Sequence, residues 1–393
     1  MFAKRTDWDL ALNPLAKALA ERRAEGKPLI DLTVSNPTDC GFTYDMQAIL
    51  AALESPAAMK YEPNPKGLEV ARRAVATYYA DRAEDVSTED IFLTTSTSEG
   101  YSWLMRLLCD AGDEVLIPSP GYPLFDFLAE LNDVKLVRYP LFYDHGWHFD
   151  FHALEQAITP RTRAVIVVHP NNPTGNYVKP KEREELKAIC AKRGLAIIAD
   201  EVFLDFALDG RPRASFVTNG RTTNVPLTFV LSGISKICGL PQMKVAWLVV
   251  NGADREKDGA IGRLEVIADT YLSLNAPVQY ALGALLATRH SFQRQVLERI
   301  STNVAELDKQ LAEVPSWLRF GMEGGWSTVL QGPTAAAGAD RALNDLLDRG
   351  VLLHPGAFYG LSGRGIVVSS LLTKQEDHRP AIGRLLGTRY TVI

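Results

Sequence analysis

Between about Ser87 and Val250, short apolar runs bounded by turn residues alternate with longer stretches of helical character. That alternation predicts a mostly parallel α/β sheet. Seven strands are expected, at Ile91 to Thr95, Glu114 to Pro118, Val134 to Tyr139, Ala164 to Val168, Ala196 to Ala199, Thr228 to Leu231 and Ala246 to Val250. Runs this apolar offer both faces for burial, so helices should cover both sides of the sheet. Helices are expected over Glu69 to Ala80, Glu99 to Cys109, Pro123 to Leu131 and Lys181 to Lys192, the last opening at a proline and stopping before Gly194. From Val278 the chain reads as one long helical stretch through about Leu311, followed by a short α+β tail containing Gly321 to Leu330 and Gly365 to Ser370. The expected division is a large unit over residues 46–277 and a smaller one built from 1–45 and 278–393. No repeat or flexible linker interrupts the chain, so the two units should pack tightly.

Composition narrows the class. With 46% hydrophobic and 23% charged residues over 393 positions, the chain can bury a sizeable core, which excludes disorder and a small disulfide scaffold. Lys and Arg total 42 against 47 Asp and Glu, a formal net charge of -5, which gives no electrostatic footprint for nucleic acid. Cys40, Cys109, Cys190 and Cys238 are scattered, with no CxxC pair and no histidine at ligand spacing, so no metal site is expected. Buried thiols in a reduced, cytoplasmic setting fit best. The segment from Met1 to Asp9 mixes both charge signs and lacks the apolar core of a signal peptide. No apolar run approaches membrane-spanning length, so no membrane partner is expected.

Three strand ends carry chemistry. His169-Pro-Asn-Asn172-Pro-Thr-Gly175 sets a rigid polar turn directly after the strand Ala164 to Val168, and open α/β sheets bind ligands at such carboxyl ends. Alone, the run is equally an ordinary turn. Ile197-Ile-Ala-Asp200-Glu201-Val-Phe203 ends an apolar strand in two carboxylates, which are costly to charge without a partner. A cationic ring nitrogen beside one of them would offset that cost; a helix N-cap aspartate is the alternative. In Leu231-Ser-Gly-Ile-Ser235-Lys236-Ile-Cys-Gly-Leu-Pro, a lysine lies between an apolar strand and a glycine-proline loop. Desolvation there would lower its pKa and make the amine nucleophilic towards an aldehyde, whereas a snorkelling surface lysine is the commoner fate of a single Lys.

Together, asparagine, aspartate and lysine at successive strand ends resemble the class I and II pyridoxal-phosphate aminotransferases of fold type I. The resemblance runs from Ser35-Asn-Pro37 to the Gly356 segment. It implies a seven-stranded, mostly parallel sheet between helices, pyridoxal 5'-phosphate as cofactor, and transfer of an amino group from an L-amino acid to a 2-oxo acid. By the same resemblance Lys236 forms the Schiff base and shuttles a proton, and Asp200 pairs with the pyridine nitrogen and keeps the ring an electron sink. Asn172 bonds the phenolic oxygen and borders the substrate, and Tyr122 stacks on the ring. The run Thr94-Thr-Ser96-Thr97-Ser98-Glu-Gly100 leads from a strand into a helix N-terminus, a natural anion site. The resemblance gives the phosphate to Thr97, Ser98, Ser235 and Lys244, and adds Tyr61 from a neighbouring subunit, so that the active site requires a homodimer.

Three positions depart from the family pattern. Lys244 stands where arginine is usual, and an ammonium cannot make the guanidinium fork. Phe203 replaces a tyrosine that donates to the phenolic oxygen. The segment Gly363-Arg364-Gly-Ile-Val-Val-Ser-Ser370 has Val367 or Val368 where an arginine for the substrate carboxylate is expected. Arg364, a Lys or Arg from elsewhere in the chain, backbone amides near Ser35 and Asn36, or polar groups beside Trp326 are the candidates to replace it, and His354 is a candidate for the pocket wall. These departures keep a second reading open, a lyase, cyclase or oxidase using the same cofactor. A ligand-sensing transcription regulator would need a DNA-binding module, and the 45 residues before the large unit carry no helix-turn-helix pattern.

Overall fold

A computed structural model describes residues 1–11, 14–217, 225–333, 347–363 and 365–387. Strand β1 (Ile30–Asp31) precedes the main sheet, which contains β2 (Ile91–Thr94), β3 (Glu114–Ser119), β4 (Lys135–Tyr143), β5 (Trp147–Phe149), β6 (Thr162–Val168), β7 (Ala196–Asp200), β8 (Thr228–Gly233) and β9 (Ala246–Asn251). Their spatial order is β2-β9-β8-β7-β6-β3-β4-β5. The pairs β3/β4, β3/β6, β6/β7 and β7/β8 are parallel, while β9 runs antiparallel to both β2 and β8. All seven expected strands form. An eighth, β5, folds back on β4 as an antiparallel hairpin; three residues are too few to display a period of two.

The apolar strands are buried on both faces because successive side chains point to opposite sides. On one face Leu116, Val165, Val167, Ile197, Ala199, Val230 and Trp247 join a cluster with Val75, Leu186 and Leu282. On the other, Ile117, Ala164, Ile166, Ile198, Phe229 and Leu231 join Tyr101, Leu104, Phe125 and Leu264. The first cluster is covered by helices Glu69–Ala80, Pro180–Arg193 and Ala276–Ala287, and the second by Thr97–Leu108, Leu124–Leu131 and Asp254–Tyr271. Pro180 opens its helix and Gly194, at φ +66°, closes it, as the sequence indicates.

The long helical stretch expected from Val278 is two helices, Ala276–Ala287 and Arg289–Ala312. At Thr288 the amide bonds the carbonyl three residues back, on Leu285, at 3.1 Å. Such a tightened turn marks a helix end that hydrophobic spacing alone does not reveal. Beyond it, β10 (Leu318–Arg319), β11 (Ser327–Gln331), β13 (His354–Pro355) and β14 (Ile366–Ser370) form a four-stranded antiparallel sheet in the order β10-β11-β14-β13. Strand β12 (Val351–Leu352) pairs in parallel with β1, joining segments about 320 positions apart in the chain.

The turn after β6 is clamped to the segment before β11. Gly175 O accepts from the amides of Glu323 and Gly324 at 3.0 and 2.9 Å. Gly175 has φ +71°, and a β-carbon there would lie 2.5 Å from the Gly324 carbonyl oxygen, so glycine is required on both counts. Gly175→Ala is expected to destabilise the protein by about 1–3 kcal/mol, read as a lowered midpoint in denaturant. Unchanged stability would mean the clamp yields freely.

Candidate functional site

The strand ends β2, β3, β6, β7 and β8 all open on one cavity of about 490 Å³, lined from that side by Ser96, Tyr122, Val168, Asp200 and Gly233. The facing wall comes from Thr33 and Ser35 after β1, Trp326 and Ser327 at β11, His354 on β13, and Val368 and Ser370 on β14. The register explains the gathering: β6, β7 and β8 are adjacent and parallel, with Val168 opposite Asp200 and Asp200 opposite Leu231. The segments leaving these strands therefore emerge at one edge.

Asp200 is 8% exposed. Its carboxylate accepts from Tyr101 Oη at 3.0 Å and from the Val202 amide at 3.1 Å. Burial nevertheless pushes its pKa up to about 6, against the opposing pull of those bonds and of Lys236. Burial also lowers the Lys236 ammonium, with Asp200 acting in the opposite sense. Lys236 Nζ lies 5.0 Å from the Trp326 ring centroid and 5.7 Å from that of Phe203, so its neighbours are aromatic faces. Glu201, the next residue along, leaves the cavity altogether. It accepts from Ser215 Oγ and from the Phe216 amide, each at 2.6 Å, and burial raises its carboxyl to about 8.

At the end of β2, Ser96 caps helix Thr97–Leu108 by accepting from the Glu99 amide at 3.2 Å. Thr97 and Ser98 thus form a helix N-terminus on the cavity wall, where first-turn amides and the helix dipole favour an anion. In the turn after β6 the two asparagines divide the work. Asn171 Nδ2 donates to Pro120 O at 3.1 Å and to Thr174 Oγ1 at 2.7 Å, fastening the turn beside Tyr122. Asn172 lines the cavity.

Of the residues that the sequence singles out, the cavity gathers Ser35, Thr97, Ser98, Tyr122, Asn172, Asp200, Phe203, Ser235 and Lys236. Asn36 does not line it. Its side chain accepts from Thr38 and donates to Asp39, which commits it to capping the turn Pro37–Asp39. Lys244 lies outside the lining, exposed and left-handed at φ +53°. Tyr61 is 79% exposed and lines a separate cavity with Leu272 and Asn275. Arg364 lies outside the described residues. Between the two valines, Val368 lines the cavity, and Val367 packs with Leu32 and Leu330 on the other side of β14. Tyr101 on Asp200 escapes the sequence patterns, and so does the contact of the Trp326 ring with Lys236, although the sequence singles out the polar groups beside Trp326. Tyr101 stands four positions after Thr97 and so shares its helix face, the one signal that points to it.

Comparison with known proteins decides the family. The family model described as aminotransferase class I and II matches residues 27–380. The chain belongs to this family. It is 31% identical over 275 residues to the glutamate-pyruvate aminotransferase AlaA of Escherichia coli, covering 70% of this chain and 67% of that protein. It is 30% identical over 289 residues to the alanine aminotransferase of Mycobacterium tuberculosis, covering 72% and 66%. A crystal structure of an aminotransferase from Escherichia coli superposes with a TM-score of 0.86 at 25% identity, covering 98% of this chain and 97% of that one. The protein is therefore a pyridoxal-phosphate-dependent aminotransferase of fold type I.

The aminotransferase cavity suits that cofactor. It offers a buried carboxylate whose charge is poorly compensated, an amine of lowered pKa, and a hydroxyl-bearing helix N-terminus, matching a cationic ring nitrogen, an aldehyde and a phosphate. The raised Glu201 carboxyl has a consequence for stability. Between about pH 4.5 and 8 the folded state holds a proton that the unfolded chain releases, so this group contributes stability that is lost as pH rises through that window. Glu201→Gln is expected to flatten the dependence of Tm on pH there. An unchanged slope would show that Glu201 is ionised in the folded protein.

Proposed function

We propose that this aminotransferase works through Lys236, with an alanine-type L-amino acid as donor and a 2-oxo acid as acceptor, as a cytoplasmic homodimer. The observation that carries the reading is the convergence of Asp200, at the end of β7, and Lys236, in the short helix Ile234–Ile237 that follows the adjacent β8, on one cavity that also holds the Thr97 helix N-terminus. When bound, pyridoxal phosphate supplies an aldehyde that captures the substrate amine and a ring that takes up the electron pair of the broken Cα–H bond.

The chain's own residues do the rest. Lys236, already poised to lose its proton, is the amine that holds the cofactor and then the base that moves the substrate proton. Asp200, costly to ionise alone, keeps the ring nitrogen protonated and is itself held by Tyr101. Asn172 donates to the phenolic oxygen, Tyr122 covers the ring, and Thr97, Ser98 and Ser235 hold the phosphate. Lys244 and a partner's Tyr61 complete that anion site in the dimer. Exposed Met59 and Tyr61, at 89% and 79%, support an interface there. The relatives' names and the apolar lining of Val202, Trp326 and Val368 support a donor with a small side chain. No helix among the described residues is long and apolar enough to cross a membrane.

The deciding experiment is an absorption spectrum of the protein with pyridoxal phosphate, repeated after single L-amino acids are added without any oxo acid. Loss of the visible band into a stable near-ultraviolet band establishes the half-reaction and names the donor. Release of ammonia or of a fragment with the visible band restored would point to lyase or oxidase chemistry. Lys236→Ala is expected to abolish the visible band and cost roughly 10⁴-fold or more in transamination; a persistent band would overturn the assignment. Phe203→Tyr places a hydroxyl near Lys236 and the phenolic oxygen, and is expected to lower the pH midpoint of the visible band. A midpoint that stays or rises would count against the geometry proposed for Phe203.

A further inference from the structure

On the reading that this cavity is the aminotransferase active site, we infer that His354 recognises the substrate carboxylate in place of the missing arginine. The register carries the inference. His354 on β13 is directly opposite Val368 on β14, and both line the cavity. Directly opposed side chains of an antiparallel pair stand about 4.5–5.5 Å apart at Cβ. The imidazole thus occupies the stretch of wall beside the position at which a guanidinium is absent.

The ring is held for the task. His354 Nδ1 lies 2.9 Å from Tyr359 Oη, and Tyr359 is a buried residue of the same wall. The contact admits either donor direction; in the proposed tautomer the tyrosine hydroxyl donates to Nδ1, which places the ring proton on Nε2 as the donor offered to a carboxylate. Burial lowers the His354 pKa, with Asp31 opposing, which favours this neutral, directional donor over a diffuse cation. Phe358, 43% exposed, lies tilted against the ring at 6.0 Å between centroids and limits its rotation on that side.

Two neighbouring hydroxyls on this wall, those of Ser370 and Thr33, are engaged elsewhere. Ser370 Oγ donates to Val34 O at 2.5 Å and accepts from the Leu372 amide at 3.1 Å. Thr33 Oγ1 donates to Asp31 at 2.5 Å. One N–H replaces the two parallel bonds of a guanidinium fork, so carboxylate binding in this enzyme is weaker and more easily relaxed than an arginine would make it.

The test compares an L-amino acid with its own carboxamide in the first half-reaction, read from the bound cofactor's spectrum. The acid is the fastest donor in a panel of single L-amino acids. His354→Phe is expected to raise the half-saturation for the acid roughly 10- to 100-fold, with a smaller change in limiting rate, and to erase the preference for acid over amide. His354→Gln, which presents an amide N–H near the position of Nε2, should recover most of that preference, and keeps the test valid if the phenylalanine variant misfolds. Tyr359→Phe should give a partial loss. Equal losses on acid and amide would make His354 merely structural, and an unchanged acid/amide ratio would overturn its role. If the wild type converts with no amino acid at all, the site reading fails and the His354 assignment falls with it.

Discussion

Asp200 sits at the end of a strand that is apolar on both faces, with 8% of its surface exposed, and the rest of the site is arranged around the cost of that burial. Two hydrogen bonds, from Tyr101 and from the Val202 amide, offset part of it, and Lys236 contributes attraction across the cavity. Neither suffices to bring the carboxyl back to its ordinary range. A parallel sheet must bury both faces, and its strand ends are the only places where polar groups can emerge without crossing the core. The fold therefore delivers a carboxylate and an amine to the same edge, and burial tunes the two in opposite directions, the acid up and the base down.

Glu201 shows that burial alone does not make a site. It is more deeply buried than Asp200, at 2%, and its pKa is shifted further. Period-two alternation turns it away from Asp200 towards Ser215 and Phe216, and it does not line the cavity that Asp200 borders. What separates the two neighbours is direction, and direction is a property of the strand.

Much of this was legible in the chain. Apolar runs with turn boundaries place seven strands, because fully buried strands leave an uninterrupted signature, and the proline and glycine around Pro180–Arg193 mark that helix to within a residue. The joint spacing of Asn172, Asp200 and Lys236 points to the one cavity that all three line, although each motif alone is ambiguous. The remainder depends on contacts that no local pattern encodes. Trp326 faces Lys236 only because the small sheet packs against the strand ends, across 90 positions of chain. Asn36 reads as a ligand candidate through its backbone amide, but it lies outside the cavity lining with its side chain capping a turn. Thr288 interrupts two helices without any proline or glycine to announce it.

The valine at 368 is best understood as a core residue. It belongs to the same apolar cluster as Tyr359, Leu361 and Val329, so the four-stranded sheet meets the cavity with the edge of its own packing. A guanidinium placed there would have to be desolvated among those side chains and paired with a buried acid while substrate is absent, and such a buried charge is costly. By packing valine at that point, the protein gains a well-filled wall and moves polar recognition one strand outward to β13. The trade is a continuous core against bidentate binding. It places the determinant of substrate choice on a short strand followed by the turn Gly356–Tyr359, whose residues Phe358 and Tyr359 hold the orientation of the donor.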